Sequence, residues 1–120
     1  MKKAAWEKRI INAMKDAGTY REFFMSAVET LAGILEKRDV AQKAFDDSGG
    51  EILVEHTNVK GNANLEQHPM IRLINDLNRD ALAYWRDLGL TPAGLKRIDE
   101  NSMKQKKRST LADALKELGG

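Results

Sequence analysis

The most regular hydrophobic pattern in the chain runs from residue 69 to residue 88, where apolar side chains recur every three or four positions. This spacing is typical of an amphipathic α-helix. Pro69 suits the first helical position, where a backbone N–H would have no partner, and Gly89 suits the left-handed conformation that ends a helix. Thr91 and Pro92 then favour the start of another helix. The pattern therefore predicts two helices joined by a tight Leu-Gly-Leu-Thr-Pro corner.

Two more stretches with helical spacing precede this segment. Residues 3–17 place apolar side chains on one face and most of their lysine and arginine residues off it, which predicts a short amphipathic helix. The next stretch begins with a capping box, Thr19 and Glu22, and runs to about residue 46. A helix of that length spans about 40 Å, which is long for a small domain, so we expect part of its apolar surface to meet another chain. Gly33 within it predicts a close helix approach or a bend.

The period changes between residues 51 and 67. Ile52, Leu53 and Val54 form a β-prone run, and turn-forming residues follow, so this segment predicts a small β-hairpin or an extended arm. Because a two-stranded hairpin is not stable alone, we expect it to lie on the helices or on a neighbouring subunit. The polar residues at its tip are Asn58, Lys60 and Asn62. They are either contacts to DNA or a partner, or an ordinary polar turn.

The C-terminal part of the chain is more polar. Residues 91–100 predict a short helix carrying Lys96 and Arg97, and the basic stretch 101–108 predicts a disordered linker. A short amphipathic helix follows over residues 109–120. Its apolar side consists of Leu111, Leu115 and Leu118. Since so short a helix is not stable alone, we expect it either to fold onto a groove in a partner protein or to pack on its own domain.

These patterns predict a mainly α fold: a helical domain with a long central helix, a small β-hairpin or extended arm, and a flexible basic C-terminal tail. The length of 120 residues fits one domain, in residues 1–100, followed by a basic linker and amphipathic segment in residues 101–120. The surplus of helical apolar surface predicts self-association. The residues expected at the interface between subunits are Phe24, Leu31, Leu35, Tyr84 and Trp85. The two aromatic residues of the 69–88 helix could equally serve as core anchors.

Charge is distributed unevenly along the chain. Residues 1–15 carry a net +4 and residues 102–108 another +4, which leaves −6 for the remainder because the whole chain carries +2. Two basic ends on an acidic body suit a polyanionic partner such as DNA, although the same residues could be solvated termini or a peripheral packing helix. The candidate DNA-binding residues are Lys2, Lys3, Lys8, Arg9, Lys15, Lys104, Lys106, Lys107 and Arg108.

Candidates for catalysis or metal binding are few. The chain has no cysteine, which excludes disulfides and thiolate sites, and it has neither a Gly-rich phosphate loop nor a His-Glu-x-x-His motif. His56 and His68, with Glu55 and Glu66, would give a weak metal signal if the hairpin brought them together. His68 is explained more simply by a local hydrogen bond before a helix. We therefore expect no catalytic residue, no metal and no cofactor.

The order His68-Pro69, amphipathic helix, Leu-Gly-Leu-Thr-Pro and then basic residues resembles the small subunits of tailed-phage terminases. The stretches 58–62 and 66–69 also resemble that family. The resemblance covers roughly residues 49–98 and departs from the family at Leu95, where many members have an arginine.

The resemblance implies a ring of subunits that binds double-stranded DNA at the packaging initiation region. The ring then passes the DNA to the terminase large subunit, which carries the ATPase and the nuclease. It also implies a location in the cytoplasm of the infected host, which agrees with the lack of an apolar run long enough to span a membrane. The rival hypotheses are a helix-turn-helix transcriptional regulator, suggested by the corner before Thr91, and a protein-only adaptor with no nucleic-acid role.

Overall fold

A computed structural model of the chain describes residues 1–57, 61 and 63–119. Its elements, in chain order, are α1 (Lys3–Ala17), a 3₁₀ turn (Glu22–Phe24), α2 (Met25–Asp47), β1 (Leu53–Thr57), β2 (Ala63–Gln67), α3 (Pro69–Asp87) and α4 (Pro92–Gly119). This confirms the predicted mainly helical fold with a long central helix and a small hairpin. The predicted contacts at Asn58, Lys60 and Asn62 lie outside the described residues.

The core lies where α1, α2 and α3 pack together. Ile10 and Met14 of α1 are fully buried because they are four residues apart and project from the same face of the helix. Each of the other two helices contributes apolar side chains at the same kind of spacing. The other buried residues of this core are Val28, Leu31, Ala32, Leu35, Ala81 and Leu88.

Thr19 does not cap the central helix, so the predicted capping box is wrong. Helix α2 begins only at Met25, after the 3₁₀ turn, and has no side-chain cap. Thr19 instead ends α1, where its backbone N–H donates to the Met14 carbonyl at 2.8 Å, in the pattern of a Schellman motif. The Thr19 side chain is buried, and its hydroxyl has no partner among the described residues. Core packing of this side chain therefore outweighs its local preference for a cap.

The corner between α3 and α4 forms as predicted. Gly89 takes the left-handed conformation with φ of 73°, and the Leu90 N–H donates to the Trp85 carbonyl at 2.8 Å. The Thr91 hydroxyl then accepts the Gly94 N–H at 3.0 Å, which caps α4.

The close helix approach lies at Gly94 and not at Gly33. A Cβ atom on Gly94 would overlap the carbonyl oxygen of Arg86, because the first turn of α4 crosses the end of α3 in direct backbone contact. A Cβ atom on Gly33 would meet nothing within 4 Å, and α2 runs unbroken through this position. The prediction of a close approach at Gly33 is therefore wrong.

His68 links the hairpin to the helices. The Met70 N–H donates to His68 Nδ1 at 3.1 Å, so the neutral ring carries its proton on Nε2 and donates to Ser48 Oγ at 2.9 Å. The ring also packs edge-on against Phe45, with centroids 5.1 Å apart. The His68 N–H closes the hairpin base by donating to the Ile52 carbonyl at 2.8 Å. The predicted local role of His68 is confirmed.

Helix α4 is one continuous helix of 28 residues, so the predicted pair of short helices with a disordered linker between them is wrong. No glycine or proline lies between Leu95 and Leu118, and the lysine, glutamine, glutamate and leucine residues there favour a helix. The intrinsic helix propensity of these residues therefore supports the helix where few of its side chains pack on the core. The chain measures 86 × 27 × 20 Å, and its radius of gyration is 22.4 Å, against about 14 Å for a compact domain of this length.

Candidate nucleic-acid interface

The basic side chains of α1 lie on the outside of the three-helix core. Lys8 and Lys15 are exposed and seven residues apart, so they share the face opposite the buried Ile10 and Met14. The ammonium group of Lys15 lies 5.1 Å from the centre of the Tyr20 ring, which leaves its charge at the protein surface. Lys2 and Lys3, at the start of the helix, are also exposed. All of these lysines are accessible to a phosphate polymer.

Arg9 is held against an aromatic ring. Its guanidinium lies 5.5 Å from the centre of the half-buried Trp6 ring, and the guanidinium of Arg38 from α2 lies at the same distance. The Trp6 indole N–H donates to Asp39 Oδ2 at 2.7 Å. This cluster ties α1 to α2 and fixes the direction in which the basic face of α1 points.

Asp39 is the acidic centre of this cluster. Besides the indole, it accepts hydrogen bonds from the amino group of Met1 at 2.8 Å and from Arg38 at 3.3 Å. Partial burial acts to raise the pKa of Asp39. The three donors outweigh this effect and lower the pKa below its usual value.

The basic residues of α4 form a second exposed group. Lys104, Lys107 and Arg108 are three and four residues apart and therefore lie on one face of the helix. The side chain of Lys106 is outside the described part of the chain. The opposite side of α4 borders a depression that also contains Arg21, next to the helical core. The basic face of α4 consequently points away from the core.

The candidate partner-binding leucines continue the same face of α4. Leu111 follows Arg108 by three residues, and Leu115 and Leu118 follow at intervals of four and three. All three leucines are exposed. A basic patch and an apolar patch thus lie in succession along one outer face of α4, an arrangement that the prediction of separate short segments did not contain.

The five residues predicted at the interface between subunits lie in or against the core of one chain. Leu31 and Leu35 are fully buried inside one chain, so a second subunit cannot reach them in this fold. Phe24, Tyr84 and Trp85 are half-buried against the same core. Sequence periodicity alone did not separate core from surface here, because both kinds of residue recur at helical spacing.

The exposed apolar residues of the helical body are different ones. They include Phe23, Val40, Leu73 and Leu82. None of these four is among the residues predicted at the interface between subunits.

Neither a metal centre nor a membrane span is present in the described ranges. The hairpin register sets Glu55 opposite Leu65 and Glu66 opposite Val54, so the two carboxylates point to opposite faces. No cluster of His, Asp or Glu in the described residues could hold a metal ion. Within the same ranges, every helix is too short or too polar to cross a bilayer.

The fold and the charged surface together describe a small, elongated, mainly helical protein with basic side chains on the outer faces of two helices. A family model described as "Phage terminase, small subunit" matches residues 3–105. The chain belongs to this family, which places it in viral DNA packaging. No curated protein and no solved structure gave a match to the chain. The family match ends within α4, before the three exposed leucines.

Proposed function

We propose that this protein is the DNA-recognition subunit of a phage packaging motor. It forms a non-catalytic homo-oligomeric ring that binds double-stranded DNA at the packaging initiation site and recruits the terminase large subunit. Membership of the small-subunit family supports this role. The observation that carries the proposal is the exposure of basic side chains on α1 and α4, on surfaces that the helical core leaves open.

The mechanism rests on electrostatics. Lysine and arginine side chains neutralise DNA phosphates and release counterions, which gives affinity without sequence information. Repetition of the same weak contact around a ring raises the overall affinity by multivalency. Specificity then comes from the shape and bending of the DNA, because the helices present charge and no dense set of base-reading side chains.

The exposed leucines of α4 supply the contact to the large subunit. Leu111, Leu115 and Leu118 form an amphipathic stripe of the kind that docks in a hydrophobic groove. Their position beyond residue 105, outside the family match, fits a contact that is specific to one pair of subunits.

The experiment that tests DNA binding compares salt dependence. In one variant Lys104, Lys107 and Arg108 are replaced by Gln, and in a second variant Lys8 and Lys15 are. Each variant should bind duplex DNA more weakly, and the slope of log K against log salt should fall by about one for each lost phosphate contact.

The matched control replaces Arg72 and Arg79 of α3 by Gln. Both arginines are exposed, and Arg79 is engaged by Asp76 at 3.5 Å. This variant should keep the slope of the wild-type protein. Unchanged slopes in both test variants would exclude the basic faces of α1 and α4 as DNA contacts. A wild-type protein that does not bind duplex DNA in dilute buffer would overturn the proposed function.

A further inference from the structure

We infer that Arg38 of α2 is a further DNA-binding residue, and that Trp6 holds it beside Arg9 so that the two arginines contact the phosphate backbone together. The inference rests on the proposed function, because it names a contact surface for the DNA which that function requires. It also goes beyond the basic residues predicted from the sequence, none of which lies on α2.

Two guanidinium groups from different helices lie over one aromatic ring. Those of Arg9 and Arg38 are each 5.5 Å from the centre of the Trp6 ring, so they are no more than twice that distance apart. Duplex DNA carries one phosphate charge for about every 1.7 Å of its axis. Both guanidinium groups can therefore contact phosphates of the same duplex at once.

The Trp6 ring is itself held in place. It packs against the core, and its indole N–H donates to Asp39 Oδ2 at 2.7 Å. Contact with this fixed ring orders two long side chains before DNA arrives, which reduces the entropy that they lose on binding. Because the ring is half-buried and has guanidinium groups over it, it is not free to stack on a base. The cluster therefore suits the DNA backbone and not its bases.

One carboxylate lies beside the two arginines and does not cancel their charge. Asp39 accepts hydrogen bonds from Arg38 at 3.3 Å and from the amino group of Met1 at 2.8 Å, so two cations share it. Within the described ranges Arg9 forms no ion pair. Neither arginine has an acidic residue three or four positions away on its own helix. The pair therefore keeps positive charge for an external anion.

The other acidic residues of this region are engaged or turned away. Glu36 accepts the backbone N–H of Lys3 at 2.7 Å. Glu7 is two residues from Arg9, a spacing at which side chains on a helix do not face each other. Residues 1–9 and 36–39 together contain six lysine or arginine residues against three aspartate or glutamate residues, a net charge of +3. This surface therefore attracts an anionic polymer.

The salt dependence of DNA binding tests the role of Arg38. In Arg38→Gln the affinity for duplex DNA at about 0.1 M salt should fall about five- to tenfold, and the slope of log K against log salt should fall by about one. Arg38→Lys should recover the slope because it restores the charge. It should not recover the whole affinity, because an ammonium group lacks the planar contact with the ring.

Lys37→Gln is the matched control. It removes the same charge from the next residue of α2, which is exposed and borders the depression between α2 and α3 instead of the Trp6 ring. This variant should keep the slope of the wild-type protein. An equal loss of slope in Lys37→Gln and Arg38→Gln would mean a general effect of charge and would overturn the inference.

Trp6→Phe separates positioning from contact. It removes the indole N–H and weakens the cation–π contacts, while both arginines remain. The affinity should fall about two- to fivefold with the slope unchanged, since the number of phosphate contacts is the same. In the Arg38→Gln background the same substitution should have a smaller effect, because only Arg9 is left to position.

Circular dichroism checks that each variant is folded. In Arg38→Gln the Asp39 carboxylate keeps its hydrogen bonds to Trp6 and Met1, so α1 stays attached to α2. A folded Arg38→Gln variant with the slope and affinity of the wild-type protein would overturn the inference and leave the cluster as a tie between two helices. The proposed function would survive that result, whereas it would not survive a wild-type protein that fails to bind duplex DNA.

Discussion

Asp39 shows how a single side chain fixes the direction of a helix. Its carboxylate accepts hydrogen bonds from the Trp6 indole, the Arg38 guanidinium and the amino group of Met1. These bonds join the start of α1 to the middle of α2. The basic face of α1 is carried by a helix that has only two fully buried anchors, Ile10 and Met14. The polar cluster at Asp39 therefore adds a further point of attachment, near the start of α1, that prevents α1 from rotating.

Asp39→Asn should lower the free energy of unfolding by about 1 kcal/mol at neutral pH. Because the pKa of Asp39 is lower in the folded than in the unfolded state, its contribution is present above about pH 4 and is lost as the pH falls through the folded-state pKa. Urea denaturation at a series of pH values should show the two proteins converging in acid. Asp47→Asn, which removes an exposed pair with Lys43, should cost less than about 0.5 kcal/mol.

The glycines of the helices give a matched pair of substitutions. Gly94→Ala should destabilise the protein by about 2 kcal/mol or more, because the new Cβ atom would overlap backbone atoms of Arg86 that cannot move freely. Gly33→Ala should stabilise it by up to about 1 kcal/mol, since the new methyl group meets nothing within 4 Å and alanine favours the helix. Chemical denaturation measures both changes. Equal effects of the two substitutions would contradict the close crossing of α3 and α4.

At the scale of elements, α4 carries a basic patch and a leucine stripe along one face. The basic patch ends at Arg108 and the leucine stripe begins at Leu111, with no break in the helix between them. The surfaces that we propose for DNA and for the large subunit thus lie on a single continuous helix. Movement of the leucine stripe would therefore also move the basic patch.

Leu111→Ala combined with Leu115→Ala should abolish binding of the large subunit and leave the oligomer and DNA affinity unchanged. The reason is that these side chains are exposed and contribute nothing to the core of the chain. Co-sedimentation with purified large subunit provides the measurement, and Leu82→Ala serves as an exposed-leucine control. If the double variant instead dissociates into monomers, the leucine stripe belongs to the interface between subunits.

At the scale of the whole molecule, elongation is the dominant property. A chain of this length with extents of 86 × 27 × 20 Å exposes more surface than a compact domain of the same length, which favours assembly. Small-angle scattering of a monomeric variant should give a radius of gyration close to 22.4 Å. A radius of gyration of about 14 Å would mean that α4 folds back on the helical core.

Local signals in the sequence determined where most helices begin and end. Pro69, Gly89 and Thr91 act through backbone conformation and hydrogen bonds that span only a few residues, so their effects can be predicted without knowledge of the fold. The same holds for His68, whose side chain caps the helix that follows it directly. The exposure of the basic residues on α1 was also predictable, since an amphipathic helix buries its apolar side.

Only the tertiary structure decided which apolar residues form the core and which face outward. Leu35 and Val40 belong to the same helix, yet one is fully buried and the other is exposed, because burial depends on where α1 and α3 lie against α2. The same long-range packing places Thr19 in the core, where its capping role is lost. A sequence sets hydrogen bonds between neighbours directly, whereas contacts between distant segments exist only once the helices have been assembled.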